Sequence, residues 1–199
     1  MKIGIFGGTF DPPHIGHINA CKCFLEAYDF HKLFVIPAYL PPHKEIKSST
    51  TTEQRLEMTR LAFQSIDPKI EISDVEIQRK GKSYTAHTIA YFKECGYDDI
   101  YFLCGTDMLL TLDQWFTPEY IFANSTIVCA RRENDADNSV AIANKIKIYE
   151  EIYGAKIIML DLPVKEMSST EIRESIYNKP CELLSSEVYS YIEENDLYR

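Results

Sequence analysis

Short apolar runs alternate along this chain with longer stretches of helical period. Ile3, Ile5 and Phe6 form the first run, and Gly7-Gly8 closes it with a turn that lets backbone approach a ligand. Pro12-Pro13 cannot extend a strand and suits a helix entry, so a helix is predicted from about His14 through Ala20, Cys23, Phe24 and Ala27. Leu33 to Ile36 reads as a second buried strand ended by Pro37, followed by a proline-punctuated loop from Ala38 to Lys47. Leu56, Thr59, Leu61, Ala62 and Phe63 mark the apolar side of a helix over about Thr52 to Ser65. Ile70 to Ile77 alternates apolar with polar residues, as a strand or extended edge does. Arg79 to Thr85 is a basic turn opening a helix through Ile89, Phe92 and Cys95, stopped by Gly96. Asp99 to Cys104, Thr126 to Ala130 and Lys156 to Leu160 are further strands. Between them lie an acidic loop, Glu133 to Asn138, and a helix from about Ser139 to Tyr153. A helix from Ser168 through Ile176 and another over about Ser186 to Asn195 follow.

Strands alternating with helices at this spacing predict an α/β fold, a Rossmann-like doubly wound parallel sheet with helices on both faces. In such sheets ligands sit beyond the carboxyl ends of the strands, near the point where strand order reverses. His14, His17, Pro41 to Lys44, Gly105, Asp107, Trp115 and Arg131 all fall at or just past such ends.

Composition changes this picture little. The 199 residues suit a single domain over the whole chain, and 45% hydrophobic with 26% charged residues is ordinary for a globular protein. A net charge of −9 argues against a nucleic-acid partner, though a local basic pocket could still hold phosphates. No apolar run is long enough to span a membrane, and no signal-peptide pattern precedes the first strand, so the expected compartment is the cytoplasm. The six cysteines, at 21, 23, 95, 104, 129 and 181, form no Cys-x-x-Cys pair and read as core or surface thiols rather than metal ligands.

Two stretches carry phosphate chemistry. His14 and His17 stand three apart at a helix start, where main-chain N–H groups and a positive dipole end favour an anion. Met167-Ser-Ser-Thr-Glu-Ile-Arg173 is the second. Ser168 and Glu171 make a capping-box pattern that a helix alone would explain, but that pattern does not account for Ser169, Thr170 and Arg173 crowded into the same turn. A Walker loop and a dinucleotide Gly-x-Gly-x-x-Gly are both absent. Asp107 by itself reads first as a helix cap, and Trp115, the only tryptophan, as core, the usual place of a lone tryptophan; its polar, proline-flanked surroundings instead suggest a partly exposed ring able to stack on a heterocycle.

Gly7-Gly8-Thr9-Phe10-Asp11-Pro12-x-His14-x-Gly16-His17 resembles the HxGH signature of the nucleotidylyltransferase superfamily. From residue 3 to about residue 177 the chain is similar to bacterial nicotinate-mononucleotide adenylyltransferases. It shares Pro-Pro-His-Lys at 41–44, Ser-Asp-x-Glu at 73–76, Ser-Tyr-Thr-x-x-Thr from Ser83 to Thr88, Gly-Thr-Asp-Met at 105–108 with a following Trp, and Ser-Ser-Thr-x-Ile-Arg at 168–173. Two positions depart: Ala38 stands where many members have Asn, and Arg131-Arg132 where many have Arg-Pro.

The resemblance implies transfer of the adenylyl group of ATP to nicotinate mononucleotide, with His14, His17 and Arg173 catalytic. It implies ATP contacts from Gly7, Gly8, Thr9, Phe10, Gly105, Asp107, Ser168, Ser169 and Thr170. Lys44, Thr85, Trp115, Phe116 and Arg131 would hold the mononucleotide. Mg²⁺ would be bound through ATP phosphates, with no dedicated protein metal site. The resemblance also allows a homo-oligomer. Three rivals share parts of the pattern. A phosphopantetheine adenylyltransferase typically has Thr in place of His14 and a shorter chain. A class I aminoacyl-tRNA synthetase fragment is suggested by Lys165-Glu-Met-Ser-Ser169, but lacks room for anticodon binding. A non-catalytic nucleotide sensor is the third.

Overall fold

A computed structural model describes residues 1–42, 49–131, 139–161, 168–177 and 183–199. Its strands are β1 (Lys2–Gly8), β2 (Lys32–Pro37), β3 (Ile70–Ile72), β4 (Asp99–Gly105), β5 (Thr126–Arg131) and β6 (Lys156–Asp161). Helices α1 (Ile15–Ala27), α2 (Thr52–Phe63), α3 (Val75–Arg79), α4 (Thr85–Glu94), α5 (Thr106–Thr111), α6 (Pro118–Asn124), α7 (Ser139–Tyr153), α8 (Ser169–Ser175) and α9 (Ser186–Glu194) connect and cover them.

All pairings in the sheet are parallel, in the order β3-β2-β1-β4-β5-β6. Both faces are buried, and the period-two alternation of each strand divides its side chains between two cores. Phe6, Leu33, Val35, Leu103 and Val128 point to one face, where Ile18, Cys21 and Phe24 of α1, Met58 and Phe63 of α2, Ile172 of α8 and Ile192 of α9 meet them. Ile3, Ile5, Phe34, Ile36, Phe102 and Ile127 point to the other, against Ile89 and Phe92 of α4, Leu109 of α5, Phe122 of α6 and Tyr149 of α7. The expected doubly wound α/β architecture is therefore what forms, and its strand order reverses between β1 and β4. No helix among the described residues is long and apolar enough to cross a membrane.

Two local expectations change. The strand expected to reach Ile77 stops at Ile72, and Val75–Arg79 turns as a helix. Alternation tests only which side a residue faces. Here Glu76, a polar position of that alternation, is buried and accepts a hydrogen bond from the Thr88 hydroxyl at 2.6 Å. The stretch around Trp115 carries α5, a 3₁₀ turn at Leu112–Gln114 and then α6, which opens on Pro118. Its apolar residues are too few per element for a periodic signal. The acidic loop at 133–138 lies outside the described residues.

Candidate active site

β1 and β4 end side by side at the reversal point, and the chain after β1 runs through Thr9 to Pro13 before α1. Phe10 adopts a left-handed φ of 49° and turns its ring inward, only 1% exposed. There it packs edge-on against Phe6, Phe63 and the His17 ring. A Cβ on Gly8 would lie 2.8 Å from two Phe10 ring carbons, so only glycine lets this ring close under the loop. Phe10 therefore supports the site from below, leaving its main chain as the part a ligand could reach.

The two histidines form a reciprocal cap. His14 occupies the N-cap of α1 and His17 its third position, so the helix begins one residue later than expected. The His17 N–H donates to His14 Nδ1 at 3.3 Å, and the His14 N–H donates to His17 Nδ1 at 3.2 Å. The rings stack with centroids 3.6 Å apart. Because each Nδ1 accepts a main-chain hydrogen, each neutral ring carries its proton on Nε2, which leaves Nε2–H as the donor the ring can offer. This narrows the expected cluster of unpaired main-chain donors. The Ile15 N–H goes to the Leu183 carbonyl at 2.9 Å and that of His17 to His14, leaving Gly16 among the described residues of that turn.

The second phosphate motif docks directly on this loop. Ser168 caps α8 in the expected box with Glu171. Ser169 Oγ donates to the Pro12 carbonyl at 3.0 Å. One Arg173 nitrogen donates to the Asp11 carbonyl at 2.6 Å, and another to Thr170 Oγ1 at 3.0 Å. Side chains of α8 thus hold the loop that leads into the histidine pair.

A cavity of about 250 Å³ opens where that loop leaves β1, at Gly7, Gly8 and Thr9; His14, His17, Arg173 and the other residues of α8 are not among its lining. Gly7, Gly8 and Thr9 form one wall, Ile5, Ile36, Phe102, Met108 and Trp115 its apolar floor and side, and Pro41 and Pro42 its rim. Thr85 contributes a hydroxyl at the first position of α4. Trp115 is half-buried and sits edge-on to Phe102, which suits the expected partly exposed ring. The rim is fixed by the Tyr39 N–H donating to Ser83 Oγ at 2.9 Å and the Ser83 N–H to the Leu40 carbonyl at 2.8 Å.

Other expected site residues stand apart from this cavity. Phe116 is exposed and stacks on Tyr84 with centroids 4.6 Å apart, outside the lining. Arg131, at the end of β5, pairs with Asp161 of β6 at 2.7 Å. Asp107 is exposed in the first turn of α5, where Gly105 and not Asp107 holds the capping position, so the simple cap reading fails. Lys44 and Arg132 lie outside the described residues. No group of three or more His, Cys, Asp or Glu among the described residues could hold a metal. Burial pushes the Cys21 thiol up to about 12, as expected of a core thiol.

The cytidylyltransferase-like family profile matches residues 5–175. A curated relative from Caldicellulosiruptor saccharolyticus, named probable nicotinate-nucleotide adenylyltransferase, is 34% identical and is covered over 100% of both chains. The chain belongs to the nicotinate-nucleotide adenylyltransferase family. Among solved structures, Plasmodium falciparum nicotinic acid mononucleotide adenylyltransferase complexed with APC aligns with a TM-score of 0.77 at 20% identity, over 99% of this chain and 96% of that one. The same enzyme complexed with NaAD gives 0.75 at 19% identity, over 99% and 97%. At these identities the two structures speak for the fold.

Within this adenylyltransferase-family fold, several supporting residues were not singled out from sequence. Arg55 is 1% exposed and donates to the carbonyls of Thr9 at 2.9 Å, Ala38 at 2.6 Å and Tyr39 at 3.2 Å. It ties the loop after β1 to the loop after β2. Burial pulls its guanidinium below the usual range, opposed by Asp11 nearby. Its signal was present: Arg55, Met58, Thr59, Ala62 and Phe63 make the buried stripe of α2, so a cation stands on the apolar side of the helix. Tyr149 of α7 donates to the Leu109 carbonyl at 2.9 Å and lies 3.0 Å from Asp113, bracing the segment that carries Trp115.

Proposed function

We propose that this chain transfers the adenylyl group of ATP to nicotinate mononucleotide, giving nicotinate adenine dinucleotide and pyrophosphate. The observation that carries the reading is the bonding of Ser169 and Arg173 to the loop that leads into His14 and His17, which joins both phosphate-type motifs at the β1–β4 reversal. Kinship with curated nicotinate-nucleotide adenylyltransferases along the full chain supports the choice of reaction. The NaAD held by the Plasmodium enzyme of the same fold is the expected product type.

In the proposed reaction a 5′-phosphate oxygen of the mononucleotide forms a bond to the α-phosphorus of ATP, and the bond to the departing pyrophosphate oxygen breaks. The nucleophile is already anionic, so no general base is needed, and no side chain need form a covalent intermediate. Catalysis is then positioning together with neutralisation of charge that builds on the α-phosphate and pyrophosphate. His14 and His17 would donate through Nε2–H, with Arg173 addressing phosphate charge. Gly7 to Phe10, Gly105, Asp107 and Ser168 to Thr170 would surround ATP, while Thr85 and Trp115 would take the pyridine ring. Mg²⁺ would arrive on the phosphate oxygens, since no group of three or more His, Cys, Asp or Glu stands among the described residues to hold it. Bound there, it would add positive charge against the polyphosphate.

The acceptor choice tests the proposal. A nicotinate carboxylate offers only acceptor oxygens, whereas nicotinamide places an NH₂ donor at one of those positions. A donor from the Thr85 hydroxyl, on the cavity lining, would favour the acid; the Trp115 main-chain N–H is already given to the Leu112 carbonyl at 3.2 Å. Pyrophosphate release from ATP, measured with each acceptor, should give kcat/KM for nicotinate mononucleotide about 10²-fold above the amide. Thr85→Val should narrow that ratio, and Trp115→Ala should weaken both acceptors alike. Turnover with phosphopantetheine but not with nicotinate mononucleotide would overturn the assignment. Equal kcat/KM for acid and amide would remove the acid-specific pocket.

A further inference from the structure

The loop that leads into the histidine pair is held from a third direction, by the segment after α9. Tyr198 OH donates to Asp11 Oδ1 at 2.8 Å across 187 residues of sequence. The same oxygen accepts from the Thr50 hydroxyl at 2.7 Å, at the exit of the loop that follows β2. The other Asp11 oxygen lies 3.8 Å from Arg173, whose guanidinium also holds the Asp11 carbonyl. Asp11 itself is only 4% exposed.

The segment bearing Tyr198 is built to deliver this hydroxyl. Asp196 and Tyr198 adopt left-handed φ values of 52° and 65°, which turn the chain back after α9. Leu197 between them is buried in the core, and its carbonyl accepts from Tyr177 OH. The Tyr198 oxygen lies 3.8 Å from Met58 Sδ of α2. Burial pushes the phenol far above its ordinary range, so the group remains a neutral donor at working pH. The left-handed Asp196 belongs to the cap that closes α9, where the Leu197 N–H donates to the Ile192 carbonyl at 3.1 Å and the Asp196 N–H to that of Glu193 at 3.3 Å; Tyr198 lies beyond that cap, and its left-handed backbone brings the hydroxyl onto a buried carboxylate in the loop that leads to His14.

We propose that Tyr198 is a positioning residue for the ATP phosphates: through Asp11 it sets the loop bearing His14 and His17 against Arg173 on α8. This rests on the adenylyl-transfer reading for the identity of the ligand. A hydrogen bond to a charged acceptor that aligns several donors at once should register in ligand affinity as well as in fold stability.

The test uses the full chain carrying Tyr198→Phe, which keeps the ring and removes only the oxygen. ATP affinity is measured by equilibrium titration with no acceptor present, alongside urea unfolding. ATP should bind roughly tenfold more weakly, while the KM for nicotinate mononucleotide stays within about twofold, since no pyridine contact is touched. A lowered urea midpoint with ATP affinity within twofold of the unaltered protein would overturn the proposal and leave Tyr198 as an anchor only. The comparison with Asp11→Ala adds a second reading. If Tyr198 acts through Asp11, adding Tyr198→Phe to that background weakens ATP no further; an undiminished extra loss would overturn the route through Asp11. Should Asp11→Ala not fold, the single Tyr198→Phe titration decides. Because ATP binding is read without an acceptor, the absence of turnover with nicotinate mononucleotide would count against the functional reading and not against this one.

Discussion

Gly7 and Gly8 are adjacent, line the same cavity, and should fail for opposite reasons when replaced by alanine. A methyl on Gly8 would stand 2.8 Å from two carbons of the Phe10 ring and 3.1 Å from a third. That ring cannot swing away, because Phe6, Phe63 and His17 enclose it. Overpacking of this kind costs about 1–3 kcal/mol. At about 2–4 °C per kcal/mol for a chain of this size, Gly8→Ala should lower Tm by roughly 2–12 °C. A methyl on Gly7 meets no atom within 4 Å. Its effect on the fold should be neutral or slightly favourable, by about 0.4–1 kcal/mol from the restricted unfolded chain. Its cost falls on the ligand, whose space it enters. If that clash is also about 1–3 kcal/mol, kcat/KM should drop by roughly 5–150-fold. Thermal melts of both variants, set beside pyrophosphate-release kinetics with ATP and nicotinate mononucleotide, separate the two cases. A Gly7→Ala protein with full kcat/KM for both substrates would show that nothing reacts against this wall. A Gly8→Ala protein as stable as the original would show that Phe10 is not held as described.

His17→Ala removes a proposed transition-state donor and one half of the reciprocal cap; kcat should fall by about 10²–10³ and stability by about 1 kcal/mol, read by turnover and urea titration. Arg55→Ala leaves three carbonyls short of a donor in a buried site, so urea unfolding should show a loss of about 3–5 kcal/mol, and a loss under 1 kcal/mol would refute its bracing role. Asp113 supplies a pH dependence. Burial raises its pKa, but bonds from Lys145 and Tyr149 outweigh this and leave it lowered, while the Asp113 contact raises Lys145. A lowered carboxyl pKa adds stability that is full above the unfolded value of about 4 and is lost as pH falls through the folded one. The urea midpoint gap between the unaltered protein and Asp113→Asn should therefore be larger at pH 7 than at pH 3; a gap that does not shrink in acid would reject the pairing.

What the sequence made legible was whatever has a period or a local signature. Strands buried on both faces read as unbroken apolar runs, so β1, β2, β4 and β5 were visible as such, and with them the carboxyl-end geometry of the site. Caps were visible too, because Ser168 and Glu171 act within one turn. Elements of five to seven residues such as α3, α5 and α6 were not, since they show too few positions to establish a period. Nor does an alternating run show that Glu76 is buried, where the Thr88 hydroxyl, from a different helix, bonds its carboxylate. Phe10 was read as a ligand contact because it lies inside a ligand motif; its ring lies in the core, on a left-handed backbone, which no periodicity signals and which leaves the main chain for that contact.

The contacts that shape the site are those with the longest sequence separations, and no window could show them. Arg55 reaches Thr9 across 46 residues, Thr50 reaches Asp11 across 39, and Arg173 reaches the Asp11 carbonyl across 162. Their convergence also explains how a chain with a net charge of −9 can hold two anionic substrates. Net charge describes the surface as a whole, and exposed charges are screened within about 8 Å at physiological salt. In the proposed site a phosphate would meet something else: imidazoles with protons on Nε2, the start of a helix, and Arg173 already oriented by Asp11 and Thr170. The imidazole donors need no counter-charge, Arg173 has Asp11 beside it, and the Asp11 carboxylate is turned toward Thr50, Tyr198 and Arg173. The acidity of the chain and the proposed phosphate contacts thus involve different atoms, which is why a composition that argues against a broad nucleic-acid surface does not weigh against a nucleotide.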